Sequence, residues 1–108
     1  MGVRVLANFV GGEFRESRSG RTIDVVSPVT GETVATSPLS DAADVADAYA
    51  AASEAFETWR DTTPAERQQA LLRIADALEA RADEFVHLEA EDTGKPYGLT
   101  ASEELPPM

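Results

Sequence analysis

Glu89, Glu91 and Asp92 are the residues whose type and spacing come nearest to a chemical site. They fall together in what reads as the last turn of a helix, closed by Thr93-Gly94. The helix dipole is already negative there, so each exposed acid carries a penalty of roughly 0.3–1 kcal/mol. Lys95 offsets part of it. A bound cation or basic groups from elsewhere would offset the rest; the alternative is three solvated acids at a frayed helix end.

Other candidates carry less. His87 is the sole histidine, flanked by Val86 and Leu88, and nothing stands at metal-ligand spacing from it. It reads as a packed or surface side chain rather than a general base. Gly94-Lys95 has the ending of a phosphate loop, but Glu89 stands where that loop needs glycine and Pro96 where it needs Ser or Thr. No glycine trio fits a dinucleotide fingerprint. The chain has no cysteine, which excludes a thiolate nucleophile, a zinc-thiolate centre and disulfides. Tyr49 and Trp59 lie on a helical apolar stripe and read as core.

The elements that would position these residues divide near Pro38. Residues 1–39 read as a β arm. Leu6 to Val10 reads as a strand, closed by Gly11-Gly12 and returning through Glu13-Phe14-Arg15. Thr22 to Val26 reads as a strand, Pro28 to Glu32 as a turn and Thr33 to Thr36 as a further strand. Residues 40–94 read as a helical hairpin. Ser40 or Asp41 caps its first helix, whose stripe runs Val45, Ala48, Tyr49, Ala52, Phe56 and Trp59. Thr63-Pro64-Ala65-Glu66 has the form of a capping box. The second stripe runs Leu71, Ile74, Ala75, Leu78, Ala82, Phe85 and Leu88, with a break expected near Arg81. The two helices can bury their stripes against each other, but the strands are left without a second layer. Residues 95–108 form a tail without periodicity, and the chain is expected to be cut short there.

Composition fits one small domain or part of a larger one. The chain has 108 residues, a net charge of −11 and a hydrophobic fraction of 43%. Alanine accounts for 18 residues, so the core is expected to be thin. Acids and bases balance in residues 1–39, placing the whole negative charge in residues 40–108. Such a surface repels phosphate backbones, and no basic stripe or aromatic platform for nucleic acid is present. No apolar run is long enough for a membrane span. The cytosol is the expected compartment. Alone, the helices are expected to form partially and the β arm to stay mobile.

The order of the segments adds a further indication. Asn8-Phe9-Val10-Gly11-Gly12-Glu13-Phe14, Val26-Ser27-Pro28-Val29-Thr30-Gly31-Glu32 and the alanine-rich helix ending at Trp59 resemble the start of an aldehyde dehydrogenase. Thr63-Pro64-Ala65-Glu66-Arg67, Leu71-Leu72-Arg73-Ile74-Ala75-Asp76 and Asp92-Thr93-Gly94-Lys95-Pro96 continue the likeness. Leu99-Thr100 and Glu103-Glu104-Leu105-Pro106-Pro107-Met108 resemble the subgroup acting on gamma-aminobutyraldehyde, betaine aldehyde and related amino-aldehydes.

The resemblance implies an α/β fold, with this chain as the N-terminal part of a Rossmann-like cofactor-binding domain. It implies NAD(P)-dependent oxidation of a small aldehyde to an acid through a cysteine thiolate. It also implies a homo-oligomer whose remaining fold would supply the missing layer. The nucleophile, general base and cofactor loops of such enzymes lie beyond Met108. No catalytic or cofactor-binding residue carries over, and neither NAD nor NADP is expected to bind this chain alone. A structural sodium or potassium ion does carry over, held by the Val26 (or Val25) carbonyl and by Asp92. The chain is thus expected to be inert as a dehydrogenase; the alternative is a standalone helical module that binds a protein partner.

Overall fold

Two glycines with positive φ, Gly11 (64°) and Gly12 (82°), turn the chain between β2 (Asn8–Val10) and β3 (Glu13–Arg15). A two-residue turn of this kind matches the twist of an antiparallel pair. Its register sets Phe9 opposite Phe14, with ring centroids 4.9 Å apart and tilted by 58°. This cross-strand aromatic pair fixes the hairpin where a short strand alone would slip. The computed structural model describes residues 2–99 and 101, and the chain divides into two compact units.

The first unit holds Met1–Val25 and Thr33–Thr62. Beside the hairpin lies a three-stranded sheet of order β1-β5-β4, built from β1 (Arg4–Val5), β4 (Thr22–Val26) and β5 (Thr33–Pro38). The link from β4 to β5 is too short for a crossover, so these neighbours run antiparallel. The Leu39 N–H donates to the Arg21 carbonyl at 2.8 Å. β1 pairs in parallel with β5, Arg4 against Ala35 and Val5 against Thr36, and the Leu6 N–H extends the ladder to the Thr36 carbonyl. Ala35, in the central strand, is buried.

Helix α1 (Ala42–Trp59) starts at Asp41, whose carboxylate accepts the N–H groups of Ala43 and Asp44. The Asp44 carboxylate accepts the Asp41 N–H in return, completing a capping box. Ser40, the other cap candidate, instead accepts a hydrogen bond from the Asn8 side-chain amide at 2.8 Å.

The second unit holds Val26–Glu32 and Thr63–Met108. Helix α2 (Pro64–Ala80) carries the expected capping box. The Thr63 hydroxyl accepts the Glu66 N–H at 3.2 Å, and the Glu66 carboxylate accepts the Thr63 N–H at 2.9 Å. The helix breaks at Arg81, where φ is −117° and ψ 23°, and α3 (Ala82–Thr93) follows. Arg81 forks its guanidinium onto Glu84 at 2.8 Å, and it lies 6.0 Å from the Phe85 ring centre. Gly94 ends α3 in the left-handed region, and α4 (Tyr97–Leu99) is a single turn.

The core is thin, as the alanine content implies: among the described residues Ala35 and Val86 are the buried hydrophobics. Many residues of the helical stripes, expected to be buried, are exposed. Val45, Tyr49, Phe56 and Trp59 on α1 are exposed, and so are Leu71 and Ile74 on α2. Tyr49 and Trp59 are therefore surface side chains here, and alanine neighbours are too small to enclose them. Among the described residues, no helix is long and apolar enough to cross a membrane.

Candidate cation site

Val26 is the last residue of β4, and the turn that follows is tied to itself. The Ser27 N–H donates to the Glu32 carbonyl at 2.9 Å, and the Gly31 N–H to the Ser27 carbonyl at 2.8 Å. The Ser27 hydroxyl accepts the N–H groups of Val29 and Thr30 at 3.2 and 3.4 Å. Such a serine turn spares the backbone the cost of unpaired donors beneath a side chain that is only 3% exposed. Ser27 has no singular sequence signal, since a serine before a proline reads only as a turn starter.

Asp92 stands in the last turn of α3 and is exposed. Among the described residues its carboxylate makes no hydrogen bond or ion pair. Glu89 and Glu91 share the turn, and no basic residue lies within it. The acids of this turn face the negative end of the α3 dipole. His87, one turn earlier, is more than half exposed and stands 3.7 Å from the Glu91 carboxylate. Its surface position matches one of its two expected readings. The Thr93 hydroxyl donates to the Glu89 carbonyl, and the Gly94 N–H to the Ala90 carbonyl. Gly94 thus acts as a helix stop, with no phosphate-loop geometry.

Val26 and Asp92 belong to the same unit, whereas Val25 falls in the other. Two positions beyond each of them the turn and the helix end meet: a Cβ built on Gly94 would lie 3.3 Å from Pro28 Cγ. A backbone carbonyl with one carboxylate is a hard oxygen set. It suits an ion of low charge. It falls short of the six to eight oxygens that calcium takes. Among the described residues no group of three or more His, Cys, Asp or Glu side chains is placed to hold a metal ion.

Comparison with known proteins identifies the family. Residues 14–108 match the aldehyde dehydrogenase family. Aminoacetaldehyde dehydrogenase of Pseudomonas aeruginosa is 44% identical over 100 residues, covering 91% of this chain and 20% of that protein. The crystal structure of gamma-glutamyl-gamma-aminobutyraldehyde dehydrogenase from Burkholderia cenocepacia superposes with a TM-score of 0.90 at 37% identity, covering 98% of this chain and 22% of the other. An indole-3-acetaldehyde dehydrogenase complexed with NAD+ superposes with a TM-score of 0.91 at 35% identity, over 98% and 22% of the two chains.

The chain therefore spans about a fifth of the length of the relatives it matches and corresponds to their N-terminal part. The tail residues that resemble the amino-aldehyde subgroup, Thr100 and Glu103 to Met108, lie outside the described residues. The family match itself covers most of the sequence, and the chain belongs to the aldehyde dehydrogenase family.

Proposed function

We propose that this chain supplies the leading part of the cofactor-binding domain of an NAD-dependent dehydrogenase that oxidises an amino-aldehyde to the amino acid. Residues 1–39, 40–94 and 95–108 all belong to that one domain segment. The observation that carries this reading is the superposition, over nearly the whole chain, on a gamma-glutamyl-gamma-aminobutyraldehyde dehydrogenase. The 44% identity to a dehydrogenase of aminoacetaldehyde supports the same substrate class.

Without cysteine, the segment contributes no nucleophile. Its part is to cover the sheet formed by the remaining fold, using the apolar stripes of α1 and α2. The assembled enzyme is a cytosolic homo-oligomer. The Val26 carbonyl and Asp92 hold a sodium or potassium ion there, with further ligands from the remaining fold.

The test is complementation. The 108-residue chain alone, given NAD and aminoacetaldehyde, should form no NADH. Mixed with the Pseudomonas aeruginosa relative from which the matching N-terminal part has been deleted, it should restore NADH formation. Turnover by the chain alone would overturn the reading of an inert segment. Failure to restore a truncated relative that its own N-terminal part does restore would overturn the structural role.

A further inference from the structure

Of the nine cationic residues in this acidic chain, Arg15, Arg18 and Arg21 stand within seven positions, around the loop that follows β3. Two serines lie between them. Ser17 is 5% exposed, and its hydroxyl donates to the Arg21 carbonyl at 3.3 Å. Ser19 is exposed, and two donors of one arginine converge on its Oγ: the Arg21 N–H at 3.2 Å and the Arg21 Nε at 3.4 Å. Gly20, at a φ of +71°, folds the chain back so that Arg21 reaches Ser19. The other two arginines are engaged elsewhere. Arg15 Nη2 donates to the Val10 carbonyl at 3.2 Å, and the Arg18 guanidinium is taken up by Asp47. Arg21 is anchored through its backbone, its carbonyl accepting the Leu39 N–H at 2.8 Å just past β5.

We propose that Ser19 is a phosphorylation site and that Arg21 clamps the phosphoryl group. The donor is ATP, carried by a protein kinase that reads arginine on both sides of a serine. The Ser19 Oγ forms a bond to the γ-phosphorus, and the bond from that phosphorus to the β–γ bridging oxygen breaks. The hydroxyl proton passes to a base of the kinase, and ADP leaves. The product places three charged oxygens where one hydroxyl stood, and charge-assisted bonds from Arg21 to them are shorter and stronger than the present ones. Through Arg21 and Leu39 the loop is then tied more firmly to the end of β5. All of these groups belong to the first unit, so the clamp needs nothing from the remaining fold.

The 108-residue chain, treated with ATP and a kinase of that selectivity, should take up one phosphate, located on Ser19 by tandem mass spectrometry. Ser19→Ala should take up none. Label on Ser17 or Thr22 in place of Ser19, or no label, overturns the site. Chains with phosphoserine ligated in at position 19 then read the clamp by phosphorus NMR, independently of the kinase. The second ionisation of the phosphate should fall below its ordinary value of about 6, because Arg21 favours the dianion. Arg21→Gln should return it to that value, and Arg15→Gln should leave it lowered. An ionisation at the ordinary value in the parent chain, or one unmoved by Arg21→Gln, overturns the clamp.

Discussion

The Asp44 carboxylate accepts the backbone N–H of Arg18 at 2.8 Å, a bond that joins residues 26 positions apart. The same carboxylate accepts the Asp41 N–H at 3.0 Å, so one side chain both begins α1 and ties it to the loop after β3. Arg18 adds a two-point grip, its Nε and Nη2 each donating to Asp47 at 2.7 Å. Backbone donors at the start of a helix stabilise the charged carboxylate, and the fork on Asp47 does so through a guanidinium.

Acid should therefore undo this joint. The Asp41 N–H, then the Arg18 N–H, hold Asp44 below the ordinary carboxylate value, and the Arg18 guanidinium does the same for Asp47. Because the folded values are lowered, the unfolded chain takes up protons first as pH falls. The stabilisation is complete above the ordinary carboxylate range and disappears as pH drops through the lowered folded values. The Arg18 amide resonance, followed through an acid titration, should show its midpoint below that range and lose the transition in Asp44→Asn. A midpoint at or above the ordinary value would sink the assignment.

Removing the cap of α2 should cost measurable stability. Thr63→Ala deletes the acceptor for the Glu66 N–H, and caps of this kind are worth about 1 kcal/mol. Denaturant titration followed by circular dichroism should show that loss, with Thr63→Ser close to the parent. Equal midpoints for Ala and Thr would mean that the cap is not formed in solution.

Val86 is 2% exposed, and it is one of only two buried hydrophobics among the described residues. Val86→Ala should destabilise its unit by about 2 kcal/mol, the transfer and cavity cost of two methyl groups. Leu72→Ala, on an exposed position of α2, should change stability little. Similar effects from the two substitutions would contradict the burial pattern.

The open stripes should bind a hydrophobic dye. Leu71, Leu72 and Ile74 are 65%, 55% and 64% exposed, and clustered apolar surface of this kind marks an interaction face. Ile74→Lys should weaken dye fluorescence while leaving helicity unchanged. It should also weaken complementation of the truncated relative, because a lysine would have to be buried in the assembled enzyme. Unaltered dye binding would place the apolar face elsewhere.

What could be read in the sequence was local. Gly11-Gly12 between apolar stretches, the Thr63–Glu66 box, the break near Arg81 and the stop at Gly94 each depend on residues within a few positions, where turn and cap chemistry acts. The Arg18–Asp44 bond was not legible, since Asp44 reads equally well as a helix-dipole acid and nothing local names its distant donor. β1 was missed because Arg4–Val5 is too short to carry an alternating pattern. Periodicity states only that a face is apolar, not what covers it, and the buried Val86 lies off the expected stripe. For the candidate site, the acidic turn was visible as a charge conflict. The approach of Gly94 to Pro28, in the turn after β4, is revealed by no spacing in the chain.

The parallel pairing of β1 with β5 also sets an order of events. The β2–β3 hairpin can close as soon as its few residues exist, and β4 can meet β5 across a short turn. β1 must wait for a partner strand that is synthesised much later, and closing that large loop slows its placement. On the ribosome, β1 thus emerges ahead of the other strands and is the last of them to find its place. Until β5 arrives, β1 has no strand to join.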